Sequence, residues 1–588
     1  MTVFTRLAAA AAAATTLLAV TASAATVNYD FNITWVRANP DGAHERAVIG
    51  INNQWPIPRI EANVGDNVVV RVRNQLGNQT TSLHFHGLFM RGTPHMDGPD
   101  AVTQCPIPPG AEFTYNFTID QPGTYWYHSH THAQYPDGLR GPLIIHDPQS
   151  PHRNDVDEEL VLTLSDWYHD EMQTLIPRFL SKNNPTGAEP VPKAALINET
   201  QNLEVRVKPR TRYLLRIVNM GAFAAQYFWI EGHKMSIVEV DGVYTKPAEA
   251  EMIYLSAAQR VSVIVETRGE SSENFPIVAS MDTELFDVLP EDLNFNSTGW
   301  FVYDEAKPKP EAKTVDEFDA FDDMDLVPWD GMKLLPEPTR EIQLDVKMDN
   351  LIDGANYAFF NDVTYTAPKV PSLYTALTTG ELASDPTVYG QYTQPFVLKK
   401  GEVVQVVVNN LDPGRHPFHL HGHNFQALYR APEENGTFVK ESGGGKVAEV
   451  PMRRDTLVVW PNSHIVLRFR ADNPGVWLFH CHIEWHVVSG LVATFVEDPK
   501  ALQGLSIPQD HLSACRQGGI ATAGNAAANM DQLLDLTGQN EPPARLPEGF
   551  TPRGVAALVL SCVAGLVGVA VVAWYGFAAS NARAPPAA

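Results

Sequence analysis

Residues 480–486 read His-Cys-His-Ile-Glu-Trp-His, a thiol between two imidazoles with a third imidazole four positions on. Three further His-x-His pairs stand at His84/His86, His128/His130 and His419/His421, and His480/His482 makes a fourth. On a strand, residues i and i+2 point to the same side, so each pair can present two imidazoles to one cavity. One such pair would carry little weight, because it could equally pack or hydrogen-bond. Four pairs at matched places carry a great deal. Imidazole suits copper, and one thiolate with two imidazoles is the ligand set of a blue copper centre. The candidate thiolate is Cys481, with His486 and His416 as its imidazoles. If Cys481 points one way from its strand, His480 and His482 point the other way, toward a second cluster. An electron on the Cys481 sulfur then has a covalent route through the adjoining peptides to both histidines.

The elements that must position these residues are short and β-rich. Runs at 67–74 (NVVVRVRN), 212–219 (RYLLRIVN), 260–266 (RVSVIVE) and 402–410 (EVVQVVVNN) are separated by Pro/Gly turns, the signature of β-sandwiches. The chain also repeats itself. PGTYWYHSH (122–130) aligns with PGVWLFHCH (474–482), and HFHG (84–87) follows its β-run at nearly the same interval as HLHG (419–422). A middle copy at 207–219 is followed by FWIEGH (228–233), where the His-x-His pair is missing. Three related sandwiches are therefore expected, at about 25–148, 155–305 and 340–500, with the chemistry in the first and third. The acidic stretch 316–330 reads as a linker, and 517–552 as a flexible stalk.

A length of 588 residues predicts about three or four domains. The net charge of −25 argues against nucleic acid, whose phosphates need basic patches. Four cysteines are too few for a disulfide scaffold. Residues 1–24 carry Arg6, an Ala/Leu run and Ala22-Ser23-Ala24, the pattern of a cleaved secretory signal. Six sequons, beginning at Asn32, Asn78, Asn116, Asn198, Asn296 and Asn435, fit the same secretory route. From Gly554 to Phe577 there is no charged residue; as a helix this segment spans roughly 36 Å, enough for a hydrocarbon core of about 30 Å. The expected topology is a translocated body, one transmembrane helix at 554–577 and a short cytosolic tail at 578–588.

HFHG, HSH, HPFHLHGH and HCHIEWH, in this order, resemble the multicopper oxidases, over nearly all of the chain from about residue 27 to 500. The resemblance implies an all-β fold of three cupredoxin-like Greek-key sandwiches holding four copper ions. It implies a type 1 copper at His416, Cys481 and His486, a type 2 copper at His84 and His419, and a type 3 pair at His86, His128, His130, His421, His480 and His482. Leu491 occupies the type 1 axial position where other members have Met, and a non-coordinating residue there tends to raise the potential. Asp97 and Glu484 match carboxylates associated with proton delivery during oxygen reduction. His132 and His423 match no ligand position. Cys105 and Cys515 resemble a disulfide joining the first domain to the C-terminal extension; Cys562 falls in the membrane span.

The copper set does not name the electron donor. Glu189 in NPTGAEP, Asp287 in ELFDVLP and Asp412 in NNLDPGRHPFHLHGH resemble the acidic iron site of the membrane-anchored ferroxidases of fungal high-affinity iron uptake. Ferric ion is hard and prefers oxygen ligands, so carboxylates there would make iron a better reductant. That resemblance implies Fe2+ and O2 as substrates, a plasma-membrane location with extracellular catalytic domains, and an iron permease in the same membrane as partner. Arg415, beside His416, is a local departure that places a cation at this site. The alternatives are a membrane-tethered laccase-like oxidase of phenols or aromatic amines, and a copper-binding wall protein that keeps the fold without turnover.

Overall fold

The computed structural model describes residues 24–440, 447–547 and 549–581. The expected signal at 1–24 falls almost wholly outside the described residues, as does most of the expected tail at 578–588. Six sheets arise in pairs from three successive segments of chain. In each segment the first strand pairs in parallel with the valine-rich strand predicted from sequence. Thr26–Ala38 lies beside Asn67–Asn74, Glu158–Trp167 beside Arg212–Asn219, and Arg340–Asn350 beside Val403–Asn410. The remaining ladders are mostly antiparallel. This recurrent non-local pairing makes each unit a Greek key rather than a meander.

Burial explains why these runs form strands. Asn67–Asn74 alternates buried and more exposed residues, so one face meets the core and the other meets water. Val403–Asn410 is buried throughout, because its outer face is covered as well. The first sandwich has its own core around Phe85, Tyr115 and Tyr127; the second and third share one continuous core.

The histidine hairpins are the same structure made twice. His84–His86 pairs antiparallel with Gly123–His128, setting His84 opposite His128. His416–Leu420 pairs antiparallel with Gly475–Cys481, setting His419 opposite His480. The corresponding middle hairpin sets Phe228 opposite Ala279 and carries no imidazole.

Two predicted connections differ from expectation. The acidic stretch 316–330 joins the second and third sandwiches, as expected of a linker, but it is bound along its length. Phe321 and Trp329 donate backbone bonds to Met252 and Tyr244, Phe318 stacks on Tyr227, and Leu326 is buried. Three of its aspartates pair with arginines of the third sandwich: Asp322 and Asp323 with Arg430, Asp323 also with Arg454, and Asp330 with Arg453. The predicted flexible stalk at 517–552 is mostly not free. Asn525 is buried and its amide caps the carbonyls of Leu533 and Asp535, Asn540 bonds Ala367, and Arg545 bridges to Leu351. Polar composition read as flexibility is here a set of turn-forming side chains that satisfy backbone groups.

Cys105 and Cys515 form a disulfide across a separation of 410 residues, with Cα atoms 5.2 Å apart. The helix Gln509–Gln517 that carries Cys515 also stacks His511 on Phe113 and joins the first sandwich through Asp510 and Thr114. Pro552–Asn581 is one helix, of which Pro552–Ala578 is long and apolar enough to cross a membrane, with mean hydropathy 2.7. Val555–Phe577 carry exposed apolar side chains, the arrangement lipid would cover.

Candidate metal centre and its carboxylate rim

Cys481 ends the strand Gly475–Cys481, and the short helix Glu484–Val488 turns His486 back over it. His416 comes from the neighbouring strand. The Cys481 sulfur lies 3.3 Å from Nδ1 of His486 and 3.8 Å from Nδ1 of His416, and the two Nδ1 atoms are 3.1 Å apart. All three side chains are buried. Burial alone would raise the thiol, but His486 and His416 win and lower it to about 7, toward the thiolate a metal requires. The outer nitrogens face two carboxylates. Nε2 of His416 donates to Asp412 at 3.0 Å and Nε2 of His486 to Glu189 at 2.9 Å. These donations fix the tautomers and leave both Nδ1 lone pairs turned toward sulfur.

Behind the cysteine lies a second group, formed between the first and third sandwiches. His130, His421 and His480 converge, as do His84, His86 and His128, and His84, His419 and His421. The rings of His86 and His482 are 5.0 Å apart, and those of His128 and His482 5.5 Å. Here the polarity of the rings is reversed. Nδ1 of His84 donates to the carbonyl of Asp97, that of His128 to Ser129, that of His419 to Asp455 and that of His480 to Cys481. Nδ1 of His421 donates to the Asp97 carboxylate at 2.9 Å. Nε2 of His84, His86, His128, His419 and His482 is buried with no hydrogen-bond partner. Burial, reinforced by neighbouring imidazoles, keeps His86, His128, His130, His421 and His482 neutral, their pKa values well below ordinary histidine. A cluster of buried imidazoles with inward lone pairs and no protons to fill them is a donor set for several soft or borderline cations, and it fits copper.

Profiles of the multicopper oxidase family match residues 32–150, 158–306 and 365–501. The chain belongs to the multicopper oxidase family. Copper is accordingly its cofactor. This multicopper oxidase is 66% identical over 560 residues to the iron transport multicopper oxidase fetC of Epichloe festucae, covering 94% of this chain and 90% of that one. It matches the crystal structure of Fet3p, described as a multicopper oxidase that functions in iron import, at 47% identity and a TM-score of 0.86, covering 88% of this chain and all of that one. A laccase from Botrytis aclada matches at 27% identity and a TM-score of 0.74, covering 84% and 92%.

The other expected residues of this multicopper oxidase fall around the two clusters. Leu491 is buried and bonded through its backbone to both Cys481 and His486. Asp287 joins Glu189 and Asp412: burial first, then the charges of those two acids, raise its pKa. Asp412 behaves oppositely. Its bond to His416 outweighs burial and lowers it to about 2. Glu484 is buried, its backbone N–H bonded to the Ala222 carbonyl, and its carboxyl is pushed up to about 8 by that burial. Arg415 does not leave an uncompensated charge beside His416. Asp282, Glu284 and Glu433 pair with it, and it lies 5.3 Å over Trp460. His423 is taken by Glu497 at 2.8 Å, and His132 is exposed; neither joins a ligand group among the described residues.

Sequence reasoning missed Asp455. Its carbonyl receives His419, its carboxylate lies 3.4 Å from both His419 and His86, and Arg260 clamps it at 2.5 and 2.8 Å. Burial alone would raise its pKa, but Arg260 holds it well below the carboxylate range. The available signal was the charged triplet Arg453-Arg454-Asp455 opening an apolar strand, where charge survives only if paired. A cavity of about 640 Å3 also reaches His130, lined by Asp100, Leu478, Val487 and Val492.

Proposed function

We propose that this multicopper oxidase is a cell-surface ferroxidase, oxidising Fe2+ to Fe3+ while O2 is reduced to water. Four Fe2+, four protons and one O2 give four Fe3+ and two waters. The observation that carries the reading is the direct bond from each outer type 1 imidazole to a carboxylate, Glu189 on His486 and Asp412 on His416. Relatives named for iron transport support it.

In this reading His416, Cys481 and His486, with Leu491 beside them, would hold a type 1 copper; His84 and His419 would hold a type 2; and His86, His128, His130, His421, His480 and His482 would hold a type 3 pair. Copper bound there supplies the one-electron redox chemistry that links iron oxidation to oxygen reduction. Glu189, Asp287 and Asp412 bind Fe2+ through oxygen and favour the ferric state, because hard Fe3+ gains more from carboxylates. Glu189 and Asp412 also bridge that iron to the imidazoles by a single hydrogen bond each. Leu491 offers no donor atom. The peptides flanking Cys481 connect its sulfur covalently to His480 and His482. Asp97 orients His84 and His421, and Glu484 holds a proton at neutral pH and releases it toward the inner pocket.

The apolar helix anchors the enzyme, placing the sandwiches outside the plasma membrane beside an iron permease that takes Fe3+ before it hydrolyses. The test is the double variant Glu189→Ala, Asp412→Ala in the full chain. Expected is a fall of about 100-fold in kcat/KM for Fe2+, with phenol turnover retained. Equal loss with both donors, or with neither, overturns the iron assignment in favour of a laccase-like oxidase.

A further inference from the structure

The middle sandwich has no imidazole hairpin, yet one of its side chains enters the inner pocket. Arg260 begins the strand Arg260–Glu266 and its guanidinium is fully buried. A buried guanidinium must be paired, and it has two acids, Asp455 of the third sandwich and Asp241 of its own. Asp455 in turn backs His419 and His86. Gly87, next to His86, sits under this contact: a Cβ there would meet Arg260 Nη2 at 2.5 Å and Asp455 Oδ2 at 2.9 Å. The clamp therefore touches all three sandwiches at once.

The chain of charge continues outward. Asp241 also receives Arg454, at 2.8 Å from Nε and 3.2 Å from Nη2. Arg454 pairs with Asp323 on the acidic strap, and Asp323 is shared with Arg430 at 2.7 Å. The order is Asp455, Arg260, Asp241, Arg454, Asp323, Arg430: three acids alternating with three arginines, and Asp322 adds a fourth acid on Arg430 at 2.5 Å. Its inner members are buried and its outer end, Asp323, is the first within reach of solvent. In such a string each acid is shared, and removing the last one leaves Arg454 only Asp241 to pair with. Asp241 is then drawn from Arg260, and Arg260 has only Asp455 to pull on.

We propose that Arg260 is a positioning residue for the His84/His419 end of the inner pocket, acting through Asp455, and that Asp323 of the strap locks the ion chain that holds it. The strap is thus part of the copper site's scaffold rather than a mere connection, and this is the middle sandwich's contribution to it. The inference rests on the copper assignment proposed above.

The test uses the full chain, copper-loaded in detergent, as Asp323→Asn, Asp323→Glu and Arg260→Lys. Copper retained after dialysis against EDTA is counted, and the type 2 electron paramagnetic resonance signal is read per unit of type 1 blue absorption. Expected for Asp323→Asn is about tenfold weaker retention of type 2 copper and an altered type 2 signal, with the blue band kept; groups that hold a metal's ligands in place have effects of this size. Arg260→Lys, which keeps the charge and loses the fork, should show the same loss more strongly, and Asp323→Glu should restore the wild-type ratio. If Asp323→Asn and Arg260→Lys lower the melting temperature but leave the type 2 signal per type 1 copper at the wild-type value, the positioning role is overturned and the chain is only structural. If wild type itself shows no type 2 signal, it is the copper assignment that fails.

Discussion

The two histidine clusters of this molecule use the same ring in opposite senses. Around Cys481, Nδ1 faces the sulfur and Nε2 reaches outward to Glu189 and Asp412. In the inner pocket five histidines donate Nδ1–H away from the cluster, to backbone carbonyls and to Asp97; three of these, His84, His128 and His419, together with His86 and His482, have a buried Nε2 with no hydrogen-bond partner. The outer cluster is wired to the surface through its two carboxylates, and the inner one lies deeper, reached by a cavity at His130. One accepts electrons from a partner arriving in water; the other must exclude such partners and admit only small molecules and protons. Which nitrogen faces the metal is decided by what the other nitrogen can donate to, so the division of labour is written in second partners more than in the histidines themselves.

The largest expected effect comes from Cys481→Ser, which removes the sulfur of the outer cluster and keeps the backbone carbonyl that receives His480. Expected is complete loss of the blue band and a fall in turnover of more than about 1,000-fold, with the type 2 signal kept. Turnover surviving this change would mean that electrons enter the inner pocket by another route.

The proton side of the inner pocket is tested by Glu484→Gln. Burial raises Glu484 to about 8, so it is a protonated acid at neutral pH and loses its proton as the pH climbs through that value. Wild-type turnover should therefore decline above pH 8. The amide variant should be about 100-fold slower and have lost that alkaline limb. A variant that keeps the limb assigns it to another group.

A smaller effect separates the acids of the rim. Asp287 has a raised pKa, so as pH falls it is neutralised before an ordinary carboxylate would be. Asp412, lowered to about 2, keeps its charge through that range. Asp287→Asn should raise KM for Fe2+ about tenfold with kcat nearly unchanged, and its KM should rise less on acidification than wild type's. An unchanged KM would remove Asp287 from the iron site.

Much of this was legible in the sequence, for identifiable reasons. A period of two puts His-x-His pairs on one face, and the aligned repeats marked the first and third sandwiches as the ones that carry them; that His84 lies opposite His128 and His419 opposite His480 comes from the strand register. The strand runs at 67–74, 212–219 and 260–266 match the observed strands residue for residue, because apolar runs between turns have few other ways to bury themselves. What sequence reading missed is pairing between distant charges. Arg260 and Asp455 are 195 residues apart, and nothing periodic marks a buried ion pair. The acidic strap read only as a linker for the same reason: the arginines that pair with Asp322, Asp323 and Asp330 lie more than a hundred positions along the chain.

In the proposed function, iron oxidation at the carboxylate rim is coupled to four-electron reduction of oxygen at the inner cluster. Oxygen consumption by the copper-loaded full chain, with Fe2+ as the sole reductant, tests it most directly. Sustained uptake with four Fe2+ consumed per O2, and no peroxide, is the predicted result. No uptake with Fe2+, or two Fe2+ per O2 with peroxide released, would contradict it.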